Sequence, residues 1–161
     1  RRFQQGQTAY AATGAQIGRS HQLIGLAAMY GKAGQPADGL HTLTAAESWA
    51  ETSGEQCYTA ERYRLQGELL LCLPAPTLTG AAASPEAFFC QAITIARQQQ
   101  ARALELRAVV SLAWLWHTQG RDAAACALLA PLYNWFSEGF DTADLQEARA
   151  LLEILAPGRE K

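Results

Sequence analysis

Proline occurs only 6 times in 161 residues, and strict alternation of Val, Ile or Thr with polar residues occurs nowhere. The chain therefore offers no strand signal and few interruptions to helix. Its purely apolar runs, Leu69 to Leu73 among them, are far too short to cross a membrane. A net charge of −2 supplies no basic field for nucleic acid and no acidic tail. The 4 cysteines, Cys57, Cys72, Cys90 and Cys126, form no C-x-x-C pair, and no histidine stands at zinc-motif spacing from them. Cys72, Cys90 and Cys126 read as small buried apolar residues, and the thiols as reduced in a cytoplasmic protein. Two leading arginines with no apolar segment after them are not expected to form a twin-arginine export signal. The start at Arg-Arg-Phe, without methionine, suggests a piece of a longer protein.

What is present is helix-period apolar patterning, in a chain 49% hydrophobic and of single-domain length. From Ala101 to Gly139, Leu104, Val109, Leu112, Ala113 and Trp116 fall on one helical face. After Gly120, so do Ala124, Ala125, Leu128, Leu129, Leu132 and Trp135. Gly120 suits the left-handed residue that closes a helix, so the pair reads as a tight antiparallel hairpin. Gly34 ends a similar helix and lies 86 residues earlier, twice 43. A middle copy fits between them. Small residues then align at Ala27, Gly67 and Ala113, and second-helix pairs at Leu43/Ala46, Phe89/Ala92 and Leu129/Leu132.

This spacing resembles the tetratricopeptide pattern, in which a small residue lets two helices approach and a large one fills the gap a turn later. The expected fold is all-α: a single helical-repeat domain of three antiparallel hairpins, at about 17–54, 56–99 and 101–139, with a C-terminal capping helix at about 142–155. An unrelated helical bundle is the alternative. A partial helix is expected over residues 3–13, and PAPTLTGAAAS, 74–84, reads as a flexible surface loop. Ser84-Pro85-Glu86 carries cap, preset first residue and acid, and so starts a helix. Asp141-Thr142 reads as the cap of the last one.

The strings TAERYRLQGELLL, FFCQAITIARQQQARALELRAVVSLAWLW and QGRDAAACALLAPLYNWFSEGFDTADLQEARALLEIL are similar to the C-terminal repeat region of bacterial multidomain signalling ATPases. In that family a cyclase or DNA-binding domain and a P-loop ATPase module precede the repeats. The resemblance runs from about Tyr10 to Leu155 and implies a regulatory or partner-binding role, with any ATPase or cyclase chemistry upstream.

The chain carries no catalytic motif of its own. Gly31-Lys32 lacks the glycine and the hydroxyl residue of a phosphate loop, and His21, His41 and His117 are scattered among the repeats. Glu61, Glu68 and Glu105 sit among arginines, which favours ion pairing over acid–base work. No catalytic residue, cofactor or metal is expected. The first helix of each hairpin lines the inner face of such an array, which places His21, Ile24 and Ala28, then Glu61, Arg64 and Glu68, then Arg107, Val110, Trp114 and His117 on it. Arg64, Glu68, Arg107, Trp114 and His117 form the candidate groove. As a peptide groove it has an aromatic anchor and charged selectors for a protein or peptide partner, possibly another domain of the parent chain. As a packing face, its charges merely neutralise one another. A structural spacer or self-association segment of the parent protein, stacking through exposed end repeats, is the other functional expectation. Nucleic acid and membrane are not expected partners.

Overall fold

In the computed structural model, residues 5–6, 18–74 and 84–156 are described. The expected helix over 3–13 and the loop over 74–84 therefore lie largely outside the described residues. Seven helices follow in order: α1 (Arg19–Lys32), α2 (Pro36–Ser53), α3 (Thr59–Leu71), α4 (Pro85–Gln98), α5 (Arg102–Thr118), α6 (Asp122–Tyr133) and α7 (Ala143–Leu155). Among the described residues there is no strand, and no helix is long and apolar enough to cross a membrane.

The turns explain where helices stop. Gly34 and Gly120 hold φ of 72°, a conformation that costs glycine little because it lacks a Cβ. In each case the next residue's N–H reaches back five positions, Gln35 to Tyr30 O at 2.9 Å and Arg121 to Trp116 O at 2.8 Å. These bonds satisfy carbonyls that a helix end otherwise leaves open. The α4–α5 turn makes the same bond, Ala101 N to Ala96 O at 2.9 Å, with Gln100 at φ 55° in glycine's place.

Helix starts are less uniform. Ser84 Oγ accepts from Ala87 N at 3.1 Å, the cap its sequence promises. Thr142 precedes α7, but its hydroxyl donates back to Gly139 O at 2.7 Å and caps nothing. α1 is closed from a distance: Glu55 accepts from Gly18 N at 2.6 Å, Ser20 N at 3.0 Å and the Ser20 hydroxyl at 2.8 Å.

Each helix packs on the next in sequence, and α1 on α3, α3 on α5 and α5 on α7 as well. The odd-numbered helices thus form a row. The aligned small positions are all buried: Ala27 and Ala113 are wholly covered, and a Cβ on Gly67 would stand 2.6 Å from Phe89 Cε1. Leu43, Ala46, Phe89, Ala92, Leu129 and Leu132 are buried too. Two apolar clusters result, one from α1–α3 around Ile24, Leu43, Leu65 and Leu69, the other from α4–α7 around Phe89, Leu106, Leu112, Leu129 and Leu151. α3 joins them, because Leu65 and Leu69 enter the first cluster while Tyr63 packs on the second.

Several sequence expectations need correction. α6 contains Pro131 and stops at Tyr133, after which Trp135 and Phe136 bond back three residues, to Leu132 O at 3.2 Å and Tyr133 O at 3.2 Å. Trp135 consequently leaves the apolar stripe and is 59% exposed, edge-on to Phe136 and under the Arg102 guanidinium. Cys72 and Cys90 are exposed and Cys126 half-buried, so these thiols are not core residues. Helical periodicity gives the direction of a side chain but not whether a neighbour covers it.

Candidate functional site

Three helices contribute one stripe each to a shared face. On α3, steps of three and four place Glu61, Arg64 and Glu68 together, and on α5 they place Arg107, Ser111, Trp114 and Thr118 together. On α7, Asp144 and Glu147 are three apart. Packing of α3 on α5 and α5 on α7 lays the stripes side by side.

The charged part is a network centred on Arg64, which is buried. Its guanidinium grips Glu61 with two bonds, Nε to Oε2 at 2.9 Å and Nη2 to Oε1 at 2.7 Å. Nη1 also bonds the Glu68 carboxylate and lies 3.3 Å from Ser111 Oγ. Glu61 Oε1 meets Arg107 Nη2 at 2.8 Å, and Arg107 Nε is 3.8 Å from Asp144. Burial disfavours the charged guanidinium, but the hydrogen bonds and charge of Glu61, with Glu68 and Asp144, outweigh it and hold the pKa of Arg64 above its ordinary value. Ser111 lies 2.8 Å from Glu68 Oε1 and 3.1 Å from Arg107 O, with one proton to share between them.

Beside this network are two adjoining cavities. A small polar one, of about 90 Å³, is lined by Arg64, Glu68, Arg107, Val110, Ser111, Asp144 and Glu147. A larger one, of about 340 Å³, has mainly apolar walls from Leu71, Phe89, Trp114 and Leu115, with Glu68, Ser111, Thr118 and Glu147 completing it. Glu68, Ser111 and Glu147 belong to both, so the two run together. Trp114 is half-buried and Leu71 is 48% exposed, which leaves apolar surface open in the larger cavity.

The sequence-chosen groove residues divide between these parts. Arg64, Glu68 and Arg107 meet at the polar cavity, and Trp114 joins Glu68 at the apolar one. His117 lines neither. Its Nδ1 is 2.7 Å from Asp122 Oδ1, and its ring stands edge-on to Trp114 with centroids 5.9 Å apart. In the first copy only His21 is exposed, and it is stacked on Tyr58. Ile24 is a core residue, contrary to the sequence reading, because α2 and α3 close over that side of α1. Val110 touches the polar cavity but is otherwise buried.

Asp144, Glu147, Leu71, Phe89 and Leu115 were missed from sequence. The three-residue step of Asp144 and Glu147 on the polar side of α7 is a readable signal of a second acidic stripe, beside the apolar side that covers the array. Glu105, off this face, pairs with Arg97 and Arg102 at 2.6 Å and 2.7 Å. Among the described residues no group of three or more His, Cys, Asp or Glu could hold a metal ion. What the face offers is an apolar recess with an acidic margin, a geometry for contact. Comparison with protein-family models, with curated proteins and with solved structures finds no match.

Proposed function

We propose that the chain is a non-catalytic interaction module, a tetratricopeptide-like array of antiparallel hairpins whose odd-numbered helices present the binding face. The open apolar cavity at Trp114 carries this reading. A half-buried indole beside an exposed leucine retains apolar surface that a partner side chain can cover, and aromatic residues in such recesses dominate interface energetics. The sequence resemblance adds a setting: the partner-binding repeat region of a cytoplasmic bacterial signalling ATPase, with the ligand a peptide or another domain of that protein. Selection of displayed random short peptides on the full chain tests it. Peptides should be enriched whose binding falls about thirtyfold or more on Trp114→Ala. Enrichment of nothing, or of peptides indifferent to Trp114, would sink the proposal.

A spacer or self-association role is favoured by a different observation. Trp135, Phe140 and Ile154 are large apolar residues with 59%, 47% and 44% of their surface exposed, all near the C-terminal end of the helix row. Sedimentation over a range of concentrations separates the two. A dimer that Trp135→Ser dissolves supports self-association, and a monomer throughout removes it.

A further inference from the structure

We infer that the cavity at Trp114 takes a basic side chain, so that the partner is a segment in which lysine or arginine stands next to an apolar residue. This rests on the reading of the face as a docking surface. The argument is charge complementarity. Four carboxylates, Glu61, Glu68, Asp144 and Glu147, share this face with only two guanidiniums, Arg64 and Arg107, and both guanidiniums are already held in ion pairs. The excess is negative, and it is not spread evenly. Glu61 is buried beneath Arg64 and Arg107, whereas Glu147 is exposed and makes no hydrogen bond or ion pair among the described residues.

Glu147 and Glu68 both line the cavity that Trp114, Leu71, Phe89 and Leu115 wall, and no cationic residue among the described residues lines it. An indole face, an aliphatic wall and a free carboxylate together match the three parts of a lysine or arginine side chain. The methylene stem packs on the apolar wall, the cation faces the ring, and the charge is neutralised at the carboxylate. An acidic partner would meet uncompensated like charge here, which opposes binding.

The peptides selected on the full chain, remade synthetically, are the probe. Trp114-dependent peptides should carry lysine or arginine beside an aliphatic or aromatic residue. Changing that lysine to norleucine should weaken binding about fivefold, and Glu147→Gln should reproduce the loss without moving the melting temperature, since Glu147 holds no partner in the fold. Raised salt should weaken the wild-type complex and leave the norleucine peptide's binding nearly unchanged. Trp114-dependent peptides that carry no basic residue, or binding indifferent to Glu147→Gln, would overturn the basic-partner inference and leave the docking surface standing. Peptides that ignore Trp114 would instead remove the docking surface itself.

Discussion

Phe89 packs against the bare backbone of Gly67, and that contact sets how close α3 and α4 can come. Inside a helix, glycine to alanine ordinarily stabilises by about 0.5–1 kcal/mol. Here the added methyl would stand within 3.0 Å of three ring atoms of a wholly buried phenylalanine. Gly67→Ala should therefore destabilise, by roughly 1–3 kcal/mol; a raised urea midpoint would mean that the ring moves aside freely. The charged residues divide in the same way by burial. Removing Arg64 strips Glu61 and Glu68 of their shared partner inside the fold, so Arg64→Ala should cost about 3 kcal/mol, the low end for a broken buried pair because Arg107 still reaches Glu61. Arg149, paired with Glu153 at 3.1 Å on the open side of α7, should change stability by less than about 0.5 kcal/mol when truncated. Equal costs in denaturant titrations of the two variants would refute this division.

At the scale of elements, the start of α1 is the clearest case of a local need met from afar. Its N-terminal N–H groups have no side-chain cap of their own, and Glu55, just past the end of α2, supplies it. Burial alone would raise the pKa of Glu55, but the bonds from Ser20 and Gly18 outweigh it and hold the carboxyl below the ordinary 4.5. With the folded pKa below the unfolded one, this stabilisation is complete above about pH 4.5 and is lost as pH falls through the folded value. Glu55→Gln should cost about 1 kcal/mol at neutral pH and narrow the gap between neutral and acid stability, as read from melts across that range. A variant with unchanged acid sensitivity would argue that Glu55 does not hold α1. Glu86 behaves alike. It accepts from the Trp116 indole at 2.7 Å and from Arg121 at 3.0 Å, and its pKa is lowered chiefly by the indole bond, so it ties the start of α4 to the α5–α6 turn.

For the whole molecule, the row of odd-numbered helices makes stability unequal along the chain. Among the described residues, α5 packs on α3, α4, α6 and α7, whereas α1 packs on α2 and α3. A helix held by more neighbours opens less readily than one held by fewer. Amide hydrogen exchange should therefore be slowest in the stretch from Leu106 to Ala113, where every residue but Arg107 is buried, and faster in α1. Amides of α1 that outlast those of α5 would mean that the α1–α3 cluster is an independent and more stable unit.

The sequence by itself determined the helices, because glycine, proline and three- and four-residue apolar steps act within a few residues of one another. α2 begins at Pro36 and α4 at Pro85, and Gly34 and Gly120 sit at the turns, as the pattern reads. It also marked Ala27, Gly67 and Ala113 as close-packed positions, since a small residue repeated at fixed register has few other reasons to be there. Only the tertiary structure decided what covers each face. Ile24 went inward because two helices close over it, while Trp135 stayed out because its helix ends first, at Tyr133. Glu147 and Leu71 reached the Trp114 cavity because α7 and the end of α3 happen to border it. Periodicity is a property of one helix, whereas burial and charge balance belong to the several helices that meet, and no single stretch of sequence contains that meeting.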